Sequence, residues 1–83
     1  MSAPEKAFGD LIRNLRQKKG LSQEALALEA GLDRTFISLL ERGSRQPSLT
    51  TILKIAKVLG ISASVLISQL ESSLQTNPPS EDS

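Results

Sequence analysis

The chemistry open to these 83 residues is bounded first by what they lack, because there is no cysteine and no histidine. Disulfides and thiolate zinc sites are excluded, and so are the usual neutral metal ligand and the usual general base near pH 7. Glu24 and Glu29 are five residues apart on one short helical stretch, a poor spacing for shared acid–base work. No glycine-rich phosphate loop and no cluster of metal ligands occurs. The chain is therefore not expected to be an enzyme or to need a cofactor. What remains is charge and hydrogen bonding. All ten basic residues lie between Lys6 and Lys57. Residues 5–60 carry ten positive and six negative charges, a net of +4, whereas residues 61–83 carry Glu71, Glu81 and Asp82, a net of −3. A basic body with an acidic tail fits a polyanionic partner. Ordinary solvated charge accounts for Arg13, Lys18, Lys54 and Lys57.

The elements that must position these side chains are helical throughout. Phe8, Leu11, Ile12 and Leu15 recur at three and four residues, the spacing of one helix face. That helix is predicted from near Ala7 to Lys19, stopping at Gly20. Ser22 caps a second helix, Gln23 to Ala30, with Leu26, Ala27 and Ala30 inward and Gly31 as its left-handed end. Asp33 is placed as the cap of a third, Arg34 to about Arg42, closed by Gly43. Leu32, Ile37 and Leu40 are its core candidates. After the loop Ser44-Arg45-Gln46-Pro47, Ser48 caps a fourth helix, with Leu49, Ile52, Ile55, Ala56 and Leu59 predicted inward. Ser62 caps a fifth, carrying Val65, Leu66 and Leu70. The expected domain covers residues 6–72, and the polar, proline-containing stretch 75–83 is expected to be a disordered acidic tail. No apolar run approaches the ~20 residues that span a bilayer, and no signal peptide pattern opens the chain. A cytoplasmic, nucleoid-associated protein without a membrane partner is the expectation.

Two short helices, Gln23 to Ala30 and Arg34 to Arg42, are joined by only Gly31, Leu32 and Asp33. So short a link forces a steep crossing, with the start of the second helix facing outward. In a helix-turn-helix, that second helix enters the DNA major groove while the first crosses the backbone. The chain resembles the lambda-repressor/Cro-like, or XRE, helix-turn-helix family. The matching residues are Leu15-Arg16, Gly20-Leu21-Ser22-Gln23, Leu26-Ala27, Ala30-Gly31-Leu32 and Ile37-Ser38. They continue through Glu41-Arg42-Gly43, Pro47-Ser48-Leu49, Ile55-Ala56 and Leu59-Gly60-Ile61. The run Leu32 to Ser38, with Glu41-Arg42 after it, also looks like the small controller proteins of restriction–modification systems. The implied fold is all-α: a compact five-helix lambda-repressor-like DNA-binding domain.

The resemblance assigns base contacts to Arg34, Thr35 and Ser38. A guanidinium forks onto guanine O6 and N7, and a threonine meets base acceptors or a thymine methyl. Gln23 falls at the groove edge, on phosphate or an outer base, and Ser22 opens a helix N-terminus that can receive phosphate. Phe36 stands where the family often has tyrosine; without a hydroxyl to donate, it either packs on sugar or a methyl or is a partly buried surface aromatic. Leu39 replaces a commonly polar residue, which argues against a hydrogen-bonded base contact there. Arg42, Arg45 and Gln46 surround the next loop and are placed to grip phosphate, adding affinity and salt dependence but little discrimination. Arg16 and Glu41 are implied as an inner salt bridge between the first and third helices.

Two reading helices one DNA turn apart, ~34 Å, need a surface to hold them together. Ile61, Val65, Leu66, Ile67 and Leu70 exceed what one terminal helix can turn inward, and the resemblance places dimerisation there. The expected function is sequence-specific binding of double-stranded DNA by a homodimer at a palindromic operator, as a repressor or autoregulator of transcription. The competing reading is an antitoxin or adaptor using the same fold, with a toxin or RNA polymerase as its protein partner.

Overall fold

A proline just inside a helix start leaves no backbone donor stranded, and α1 uses this device. The computed structural model describes residues 3–75, and in it α1 spans Pro4–Lys18, with Pro4 in the first turn and Glu5 beside it. The helix therefore begins three residues before Ala7, where its apolar spacing starts. Four more helices follow: α2 (Gln23–Ala30), α3 (Arg34–Glu41), α4 (Leu49–Leu59) and α5 (Ala63–Gln75). No strand occurs among the described residues. The last helix reaches Gln75, past the expected domain boundary, and the rest of the predicted tail lies outside the described residues.

Three serines start helices as expected. Ser22 Oγ accepts from the Ala25 N–H at 3.0 Å, Ser48 Oγ from Thr51 at 3.1 Å and Ser62 Oγ from Val65 at 3.2 Å. Asp33 differs: it holds the cap position of α3 with extended backbone, but its carboxylate makes no capping bond. The helix starts instead on the backbone bond from Ile37 N–H to Asp33 carbonyl, 3.1 Å. The turn between α2 and α3 depends on Gly31 at φ 68°, where an L side chain would be strained. The Leu32 N–H then closes back on the Ala27 carbonyl at 2.8 Å.

The core is built from one or more faces of every helix. Ile12, Leu26, Ile37, Leu40, Ile55 and Leu66 are fully buried, and Phe8, Ala27, Ala56 and Leu59 complete the cluster. In this packing α1 lies against α3 and α5, α2 against α3 and α4, and α4 against α5. Where α1 crosses the end of α3, Gly9 is buried. A Cβ built on it would lie 2.4 Å from the Leu40 carbonyl oxygen and 2.7 Å from that of Glu41. The two helices thus touch backbone to backbone.

Two expectations are corrected here. Leu49 does not point inward: it is 80% exposed, and Leu53, one turn on, is 60% exposed. Leu49 shares its side of α4 with Leu53 and not with the buried Ile55 and Leu59, so hydrophobicity alone misplaces it. Leu66 cannot offer surface to a second copy, because it is 0% exposed within its own chain. Val65 is the exposed member of that set, while Ile61, Ile67 and Leu70 are half-buried.

Candidate nucleic-acid interface

The outer side of α3 follows from its inner side. Ile37 and Leu40, three residues apart, are both fully buried and fix the rotation of the helix about its axis. Arg34 and Thr35, in the first turn, are consequently exposed, and Ser38, one turn further, is half-buried. Phe36 and Leu39 are half-buried at the margins of this face, and the Phe36 ring packs against the core. The outward surface of α3 is therefore an arginine and two hydroxyls beside two apolar residues.

One carboxylate helps to fix its angle to the rest of the molecule. Glu41 closes α3 with its side chain 1% exposed. Oε2 accepts from Arg16 Nε at 2.6 Å, and Oε1 accepts from Arg16 Nη2 at 3.0 Å. A forked arginine–carboxylate pair of this kind fixes direction as well as distance. Gln23 Nε2 donates to the same Oε1 at 3.0 Å, and Arg16 Nη1 donates to the Leu21 carbonyl at 2.8 Å. One network thus ties α1, the turn before α2, the first residue of α2 and the end of α3. Burial of the two ions is offset by these charge-assisted bonds.

The basic rim lies just beyond. Arg42 follows α3, and Arg45 and Gln46 occupy the loop before α4; all three are exposed. The Arg45 guanidinium carbon stands 5.8 Å from the centroid of the Phe36 ring. Ser44 N–H donates to the Leu39 carbonyl at 2.9 Å, which pins the entry of the loop to the last turn of α3. This arrangement can hydrogen-bond base edges from α3 and neutralise phosphates from the loop and the start of α2. Among the described residues no group of histidine, cysteine, aspartate or glutamate stands close enough to hold a metal ion.

Several relations escape the sequence. The Gln23–Glu41 bond joins residues 18 apart and has no local signature. Arg13 is half-exposed, as a solvated charge would be, but its Nε lies 3.8 Å from Glu41 Oε1. The Phe36–Arg45 contact depends on how the loop folds back, and the only hint was an aromatic residue followed by a loop arginine. Arg16 and Glu41, by contrast, meet as the resemblance implies.

The fold and this surface define a DNA-binding helix-turn-helix regulator. The chain belongs to the helix-turn-helix family, whose model matches residues 12–66. Within it the chain is of the XRE/Cro type and closely related to restriction–modification controller proteins. It is 51% identical over 55 residues to the control protein C.BamHI of Bacillus amyloliquefaciens, covering 65% of this chain and 68% of the relative. It is 45% identical over 65 residues to the control protein C.MunI of a Mycoplasma species, covering 77% and 88%. Among solved structures, the controller protein C.AhdI from Aeromonas hydrophila superposes with a TM-score of 0.75 at 48% identity, covering 78% of this chain and 98% of that one. The controller C.Esp1396I, solved as a tetramer on its natural 35 base-pair operator, superposes with a TM-score of 0.81 at 33% identity, covering 92% and 100%.

Proposed function

We propose that the protein is a transcriptional repressor or autoregulator that binds a near-palindromic operator as a homodimer, in the cytoplasm and on the nucleoid. The observation that carries this reading is the exposed first turn of α3, with Arg34 and Thr35 outward and Ile37 and Leu40 locked beneath them. Arg34, Thr35 and Ser38 read bases. Gln23, the start of α2 at Ser22, Arg42, Arg45 and Gln46 meet backbone or the groove edge, with the Phe36 ring beside them. The solved relative on its operator supports an assembly of more than one copy on DNA. The contact between copies in this reading draws on Ile61, Val65, Ile67 and Leu70, the members of the fifth-helix set that keep some exposure.

Selection of bound duplexes from a random pool tests the reading, since it returns half-site, spacing and symmetry together. A near-palindrome is expected, and an asymmetric or featureless consensus refutes it. In the same assay Arg34→Ala should lose about 1–3 kcal/mol of discrimination at one base pair per half-site. Unchanged relative affinity for operator and random DNA would remove Arg34 from the base-reading set.

A second reading has its own observation. Leu28 on α2 is 80% exposed, as is Leu49 on α4. Exposed leucines of this kind suit a protein partner such as RNA polymerase or a toxin. A purified-component binding assay with RNA polymerase, in which Leu28→Lys abolishes the contact and spares operator affinity, would favour it.

A further inference from the structure

We propose that Phe36 is a positioning residue for Arg45, its ring holding the loop guanidinium in place before DNA arrives. The inference rests on the reading that Arg45 meets the DNA backbone. The two partners differ in freedom. Phe36 sits on α3 next to the fully buried Ile37, and its ring packs against the core. Arg45 is exposed, in a loop whose entry is fastened by the bond from Ser44 N–H to the Leu39 carbonyl. The backbone around it is therefore directed, and the freedom left to it is mostly in its own long side chain. Ordering such a side chain on binding costs affinity. At 5.8 Å from the ring centroid, the guanidinium lies within the attraction of the aromatic face. A guanidinium is also weakly hydrated and flat, so it rests on a ring more readily than an ammonium does.

This gives Phe36 a role that needs no hydroxyl. The ring acts through its neighbour, and the contact with phosphate is made one side chain further out. The same ring leaves Arg45 its full set of donors, because the attraction uses the face of the guanidinium and not its N–H groups.

The test is a double-mutant cycle on operator affinity, measured with a labelled duplex at several salt concentrations. Phe36→Leu should weaken binding about two- to five-fold for each copy on the operator, the range of an exposed cation–π contact. It should also lower the salt slope toward that of Arg45→Ala, for which the loss of one phosphate contact is worth about 0.9 for each copy on the operator. In the Arg45→Ala background, Phe36→Leu should have no further effect. Phe36→Tyr keeps the ring and should restore both affinity and slope. A Phe36→Leu effect of the same size with and without Arg45 overturns the proposal and leaves Arg45 as a backbone contact. An Arg45→Ala variant with unchanged affinity and slope instead refutes the backbone reading, and this proposal with it. Should Phe36→Leu fail to fold, Arg45→Lys tests the contact from the other side. It keeps the charge and loses most of the stacking, so a two- to five-fold loss is expected and wild-type affinity is disqualifying.

Discussion

Glu41 anchors the end of the helix that presents Arg34, Thr35 and Ser38. Its carboxylate is buried and receives Arg16 twice and Gln23 once. Removing one member of such a pair strands the other charge in a poorly hydrated site. Glu41→Ala should therefore lower the unfolding free energy by about 3–5 kcal/mol, read from denaturant titration. Arg16→Ala should cost a similar amount, and the double variant clearly less than both together. Additive losses would show that the pair does not act as a unit. At this scale the sequence was informative where chemistry is type-specific. Arg16 and Glu41 were identified as partners through the family pattern, and the exposure of Arg34 and Thr35 follows from the position of Ile37. It was silent on Gln23 Nε2 and on the Arg45 guanidinium, because those contacts depend on side-chain directions set by three elements at once.

Helix ends were legible because their signals are local. Ser22, Ser48 and Ser62 each place an oxygen against an N–H three residues on, and the backbone around them needs no information from elsewhere. Asp33 carries the same kind of side chain at the same kind of position, and its carboxylate does not cap. The contrast is measurable. Ser22→Ala should destabilise by about 1 kcal/mol, typical of a lost N-cap, whereas Asp33→Ala should cost clearly less. Equal losses in thermal or denaturant unfolding would mean that Asp33 caps in solution. The inward face of a helix was less legible than its ends. Leu49 has the right type and spacing for the core and is exposed, on the side of α4 that also carries the exposed Leu53. Leu66 has the type of a surface shared between copies and is wholly internal, because α5 packs against both α1 and α4. Periodicity shows that a face exists and leaves open what covers it.

For the whole molecule, the outstanding question is how two reading surfaces are held in register. With Leu66 removed from the candidates, Val65, Ile67 and Leu70 on α5 and the approach at Ile61 form the proposed contact. Light scattering on the full chain of 8.9 kDa should return twice that mass. Val65→Glu should return the single mass while leaving the helical circular dichroism intact, since Val65 is 45% exposed and outside the core. A dimer that survives this change would move the contact elsewhere, with the outward leucines of α4 next in line. The fold class and the order of five helices were readable from apolar spacing and capping residues. Which residues of α5 are free to form the contact between copies was not, because an exposed valine and a core leucine look alike in a string of letters.

Gly9 has a consequence of another kind. The tilt of α3 toward DNA is set partly by how near α1 can come, and α1 comes as near as it does because one buried position carries no side chain. Any other residue there would act as a wedge driven against two carbonyl oxygens, turning the reading helix on its mount. The geometry of recognition is thus written in part at a residue that never leaves the interior. Natural variants of this protein should be able to change which bases they read by exchanging side chains along α3. They should not be able to change the pose in which they read them without first giving up the glycine at position 9.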